Sequence, residues 1–319
     1  MNNIVYLLLP FIITYTLIFL SLKKFTFINF LDAPGQRKKH INNIPAIGGI
    51  MIVLSLFILS GIYIVCDNSS ITDLFSINDF NIIFICSMFV FLLGVVDDIY
   101  QINVFFKLFF QIIICFIAIS MIEFINVFSW PFIVDIEYKS ISFILSLVFM
   151  LIIINGCNFL DGLDGLLSSQ SIIVLISFII LYDNHLVSTL ITLIGSLLAF
   201  FLFNKFPAKI FLGDSGSLFI GWIFTLLSFN YATNISINET MLLPLLILSL
   251  QIIDVFYVAI IRFKVSQKYI YSKFRNVFVA DRNHLHYKLL DKTKSVNLTI
   301  VYLSIINFLI LVTIIIINN

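Results

Sequence analysis

The chain has 319 residues, 61% of them hydrophobic and only 11% charged, with a formal net charge of +1 and a mean hydropathy of +1.12. That balance excludes a soluble domain, which could not hide so much apolar side chain, and gives no basic surplus to favour nucleic acid. What it describes is an all-α, polytopic membrane protein, read as a single domain over 1–319.

A helix needs about 20 apolar residues to cross the hydrocarbon core. On that criterion spans are predicted at 4–22, 48–66, 81–96, 104–122, 141–157, 166–182, 186–203, 217–233, 240–261 and 296–317. The first lacks a basic leading region and an A-x-A site, so it reads as a span with its N-terminus outside, not a cleaved signal peptide. Residues 123–140, with Trp130-Pro131, read as an outer loop.

Lysine and arginine test this topology. Lys23, Lys24, Arg37, Lys38, Lys39, Lys107, Lys205, Lys209, Arg262 and the basic residues from Lys264 to Lys294 fall on one side, and only Lys139 falls on the other. The positive-inside rule makes the first side cytoplasmic and both termini periplasmic. Asp32, Asp97, Asp98, Asp161, Asp164, Asp214, Asp254, Asp281 and Asp291 then lie at or near the cytoplasmic face, which is where the chemistry is expected. Cys66, Cys86, Cys115 and Cys157 have no paired spacing and read as core thiols.

Five constellations follow in chain order. Asp32 to His40 carries the basic cluster Arg37-Lys38-Lys39, and Pro45 with Gly48-Gly49 opens the second span. Gly94-Val95-Val96-Asp97-Asp98 ends the third span with adjacent carboxylates, which repel by about 4 kcal/mol at ~4 Å and an effective dielectric of ~20. A divalent cation or shared proton would relieve that, and a solvated helix end is the plainer alternative. Lys107, facing the same side, is within reach of a diphosphate. Asn155 to Leu166 places Asn158, Asp161 and Asp164 at three-residue intervals, roughly one face of a helical turn, with Gly162 and Gly165 permitting a break. Such oxygen ligands suit a hard cation such as Mg2+, against the alternative of a polar loop.

Phe211-Leu212-Gly213-Asp214-Ser215-Gly216-Ser217 precedes the eighth span. Backbone N–H groups at a helix start suit a phosphate and Asp214 its counter-cation, with Asp or Ser as an ordinary N-cap competing. Asp254 sits deeper in the ninth span, where an ion pair or helix-orienting hydrogen bond is expected. Asp281-Arg282-Asn283-His284-Leu285-His286 brings arginine and histidine to apolar helix ends, as an anionic ligand would require.

Together these motifs resemble the polyprenyl-phosphate N-acetylhexosamine-1-phosphate transferase family, which includes the MraY and WecA enzymes. The resemblance runs from Asp32 to His286, in order and on one membrane face. The WecA-like branch fits better: Asp281 to His286 resembles its D-R-x-H-x-H motif, Asp254 matches an acid of that branch, and MraY's triple histidine is absent. Tyr287 stands where that motif often has a further histidine.

The resemblance implies that undecaprenyl phosphate attacks a UDP-N-acetyl amino sugar in the bacterial inner membrane. It releases UMP, depends on Mg2+ with Mn2+ as substitute, and begins a cell-envelope glycan; homodimerisation stays open. It further implies that Asn158 and Asp214 hold the metal and that Asp161 supports the metal or sugar region. Asp164 contacts uracil, Lys107 binds the diphosphate, and Asn155 joins the substrate-binding set. Asp97 or Asp98 deprotonates or orients the lipid phosphate, and Arg282, His284 and His286 bind phosphates or sugar. Two rival readings are an intramembrane aromatic prenyltransferase, which would carry two similar Asp-rich repeats, and an ion-coupled transporter, which would carry acids near mid-bilayer and a two-fold repeat.

Overall fold

The structure is a computed structural model, and it describes residues 3–24, 31–32, 44–65, 77–122, 139–182, 186–234, 241–265 and 283–318. Asp281, Arg282, His40 and residues 123–138 of the loop expected over 123–140 lie outside the described residues, while residues 139 and 140 of that loop are helical. Each predicted apolar run is helical: α1 (Asn3–Lys24), α2 (Gly48–Val65), α3 (Ile77–Tyr100), α4 (Val104–Met121), α5 (Lys139–Leu160), α6 (Leu166–Leu181), α7 (Val187–Asn204) and α8 (Gly213–Asn234). The ninth run divides at Leu248 into α9 (Leu242–Ile247) and α10 (Ser249–Val265). A short helix not foreseen, α11 (Leu285–Thr293), precedes α12 (Val296–Asn318). Leu31–Asp32 and Ile44–Pro45 add one two-residue antiparallel pair, β1 and β2, and among the described residues the other elements are helices.

Six helices are long and apolar enough to cross a membrane among the described residues: α1, α3, α4, α5, α7 and α12. The protein is therefore a multi-pass membrane protein. α8 falls outside this set for a physical reason. It packs against α2, α3, α5 and α6, so Ser215, Ser217, Thr225 and Ser228 are as buried as Trp222, Phe224 and Phe229. A helix sheathed by protein meets little lipid and tolerates hydroxyls that bond back to its own carbonyls, as Thr225 does to Trp222 and Ser228 to Phe224. By contrast α4 turns Phe105, Phe106, Phe109 and Phe116 outward, as a lipid-facing helix does.

With little hydrophobic drive between helices in lipid, polar contacts hold the bundle together. Trp222 Nε1 donates to Ser87 Oγ at 2.8 Å, joining α8 to α3. Asn307 donates to Gln170 Oε1 at 2.6 Å, joining α12 to α6, and Thr14 donates to Ser55 at 2.7 Å, joining α1 to α2.

Candidate active site

The site is built where α3 and α5 end and α4 and α8 begin. Gly94 lets α3 touch α8: a Cβ there would lie 2.4 Å from Ser215 Cα. Asp98 is one turn on from Gly94 and so shares its face. Its two oxygens accept the backbone N–H groups of Asp214 (2.7 Å) and Ser215 (3.0 Å). The start of α8 is thus capped from another helix, not by Asp214 or Ser215 as the local sequence pattern allowed. Gly213, at φ 76°, turns the chain into α8, and a Cβ on it would meet Asp98 Oδ2 at 2.7 Å.

Asp97 looks the other way. Its Oδ1 accepts Ile102 N–H and its Oδ2 accepts from Lys107 Nζ, each at 2.8 Å. Lys107 sits in the first turn of α4, started by Asn103, whose side chain accepts Phe105 N–H. Buried to 8% exposure, the Lys107 ammonium also contacts Asp214 Oδ2. Asn158, near the end of α5, donates from Nδ2 to Asp214 Oδ1 and to Ser217 Oγ, both at 2.9 Å. Asp97, Asp98, Lys107, Asn158 and Asp214 therefore form one continuous network.

The rest of the Asn155–Leu166 motif departs from the helical turn expected of it. α5 stops at Leu160, so Asn158 is helical while Asp161 and Asp164 lie in a turn, and the three do not share one helix face. Two small residues explain the stop: Gly162 breaks the helix, and Gly165 at φ 78° redirects the chain into α6. Asp161 is half-buried in that turn. Asp164 Oδ2 accepts Ala208 N–H at 3.0 Å, which fastens the turn to the 205–210 segment. Asn155 points toward α4, donating to Gln111 Oε1 and to Leu151 O at 2.8 Å.

The histidines pack on the other side of the same turn. The His284 ring lies 5.0 Å from the Phe159 ring and stacks on His286 at 5.4 Å. Tyr287 donates its hydroxyl to Gly162 O at 3.0 Å, so this position anchors the histidine segment to the turn. A Cβ on Gly162 would lie 2.7 Å from His286 Nε2. Burial, against the opposing pull of Asp254, pushes the His286 imidazole down to about 4. Adjacent residues of α5 thus join the two halves: Asn158 reaches Asp214, and Phe159 reaches His284.

Several contributors carried no signal of their own in the sequence. Asn204 accepts Gly165 N–H (3.0 Å) and the Ser168 hydroxyl (2.9 Å) while donating to Ile210 O (3.0 Å), so it holds both turns in place. An uncharged amide closing an apolar run was its one available sign. Ser217 and Phe159 sat unremarked beside residues that were singled out.

The donor set suits a hard divalent cation. Asp214 carries carboxylate oxygens and Asn158 beside it an amide group whose oxygen is a hard ligand, at a place where Lys107, aimed by Asp97, already balances negative charge. Phosphate oxygens would complete such a set.

Residues 80–232 match the family described as Glycosyl transferase family 4. The chain is 27% identical over 300 residues to a Bacillus subtilis protein named probable undecaprenyl-phosphate N-acetylglucosaminyl 1-phosphate transferase, covering 92% of this chain and 78% of that one. It is 31% identical over 258 residues to a Borrelia hermsii phospho-N-acetylmuramoyl-pentapeptide-transferase, covering 66% of each. A Streptococcus thermophilus protein of the same name is 42% identical over 78 residues, or 23% of each chain. With its carboxylates, lysine and asparagine joined at one end of a helical membrane bundle, the chain belongs to the MraY/WecA-like family of polyprenyl-phosphate hexosamine-1-phosphate transferases.

Proposed function

We propose that this protein transfers an N-acetylhexosamine-1-phosphate, N-acetylglucosamine or a related amino sugar, from its UDP carrier to undecaprenyl phosphate, releasing UMP. The observation that carries this reading is the Asp97–Lys107–Asp214–Asn158 network at the mouth of α8. Joining two polyanions needs charge neutralisation and alignment more than covalent help. The lipid phosphate, with a second pKa of about 6, is largely dianionic at neutral pH and needs no strong base. That suits a site whose acids are already engaged: Asp98 holds the start of α8, and Asp97 aims Lys107.

Asp214 and Asn158 would hold Mg2+, with Mn2+ as substitute, and the bound ion supplies Lewis-acid neutralisation of the diphosphate. Lys107 binds the diphosphate, released from part of its carboxylate pairing as the substrate's charge arrives. Asp164 with Ala208 shapes the turn beside which the uracil docks, and Asp161 and Asn155 support the sugar end. His284, His286 and Arg282 meet the phosphates or the sugar. The ten-span reading places this face in the cytosol, with both termini outside the bacterial inner membrane. The lipid enters from the bilayer and the nucleotide from the cytosol, and the product begins a cell-envelope glycan.

Asp254, the acid that spoke for a transporter, has each carboxylate oxygen bonded to the histidine segment, one to His284 and one to Leu285 N–H, as a structural anchor would be. The test is purified protein with a panel of UDP-sugars and undecaprenyl phosphate, following UMP with and without chelator. Mg2+-dependent release by the wild type and its loss in a normally inserted Asp214→Ala variant are expected. Turnover retained by Asp214→Ala would remove that residue from the metal role.

A further inference from the structure

Asp254 is fully buried on α10, and both of its carboxylate oxygens are taken by the histidine segment. Oδ1 accepts the backbone N–H of Leu285, the first residue of α11, at 2.8 Å. Oδ2 meets His284 Nδ1 at 2.7 Å. A carboxylate accepts and does not donate, so Nδ1 carries the hydrogen and Nε2 is the nitrogen left for a ligand. The His284 ring is held from the sides as well, between Phe159 and His286, with Tyr287 fastened to Gly162.

We propose that Asp254 is a positioning residue: it locks the His284 imidazole with its proton on Nδ1 and so presents Nε2 to the sugar-nucleotide donor beside the Asp161–Asp164 turn. The tautomer follows from the contacts at Asp254; what Nε2 meets rests on the transferase reading above. A different use of the same side chains would be one metal ion held by Asp254, His284 and His286, whose ligand atoms lie within 4.8 Å of one another. The geometry favours the hydrogen bond. Two atoms bound to one ion at ~2.0–2.2 Å sit about 3 Å or more apart, whereas Oδ2 and Nδ1 are 2.7 Å apart.

Asp254→Asn separates the two jobs of this carboxylate. The amide oxygen still accepts Leu285 N–H, which keeps α11 anchored, but an N–H group replaces Oδ2 opposite Nδ1. The ring then has to carry its proton on Nε2 to accept from that group. Selective 15N-histidine labelling of a chain with four histidines, assigned with His284→Gln, reads the tautomer directly. Wild-type protein is expected to show His284 protonated at Nδ1, and Asp254→Asn to move the proton to Nε2.

In the transfer assay, Asp254→Asn should lower kcat/KM for the UDP-sugar about 10–100-fold, the usual scale for a residue that orients a histidine. The KM for polyprenyl phosphate should hold, and Asp254→Glu should restore part of the loss. Wild-type His284 with its proton on Nε2 alone, a wild-type donor KM in folded Asp254→Asn, or a stoichiometric metal ion lost with Asp254 would each overturn the proposal. If Asp254→Asn fails to fold, the wild-type spectrum and Asp254→Glu decide. If the wild type transfers no sugar phosphate, the transferase reading fails while the labelled histidines still report on Asp254.

Discussion

Asp97 and Asp98 are neighbours in sequence with the same charge, yet they do different work. The peptide bond between them turns one side chain to α8 and the other to α4. Mutual repulsion, the reason to suspect a metal from the sequence, is eased here by backbone N–H groups on one side and an ammonium on the other. Asp98→Ala should then act through structure: losing a helix cap costs about 1–2 kcal/mol. A lowered thermal midpoint, with the start of α8 less protected in hydrogen exchange, would show it. An unchanged midpoint would mean that the Asp214 and Ser215 amides find other acceptors.

Among helices, what positions the chemistry is how closely α3 and α8 approach. Gly94 is the contact point, since any side chain there would press into the backbone of Ser215. Gly94→Ala should force the helices apart at a cost of roughly 1–3 kcal/mol, the range for overpacking. Its larger effect should fall on turnover, because Asp97, Asp98 and Asp214 are placed by that contact. Purified variant and wild type compared for melting temperature and UMP release give the measurement, and a variant with wild-type turnover would free the site from this packing. The sequence already held the glycine three and four residues before the acids, but nothing local said which helix they would meet.

For the whole molecule, acid is the sensitive condition. The His286 imidazole is pushed from 6.5 to about 4 by burial, so the unfolded chain binds a proton that the folded one refuses between those values. Stability is undiminished above 6.5, falls as pH drops, and levels off below about 4. The drop in melting temperature between pH ~7 and ~4.5 should therefore be smaller in His286→Phe than in wild type; equal drops would exclude His286 as the cause. Orientation is a second global expectation. In a Cys66→Ser background, an impermeant maleimide should label Lys209→Cys only from the cytoplasmic side and Asp183→Cys only from outside, since Cys86, Cys115 and Cys157 are buried. The reverse pattern would invert the ten-span topology.

Hydrophobic runs of membrane-spanning length dictate helices on their own, because a backbone in lipid must satisfy its hydrogen bonds within the helix. The positions of the helices, and the gathering of acids at their ends, were therefore determined by the sequence alone. Partnership between distant groups was not. The cap that Asp98 gives α8, the Lys107 bridge between Asp97 and Asp214, the brace from Asn204 to Gly165 and the Asp254–His284 pair span 10 to 116 residues of chain. Such contacts depend on which helix faces which and at what depth, and packing small residues against backbone settles that only in the assembled bundle. The turn after α5 shows the same division. Its glycines announced a break and the motifs put Asn158 with Asp214, but only the fold revealed that Asp161 and Asp164 leave that helix face while Phe159 and Gly162 meet the histidines.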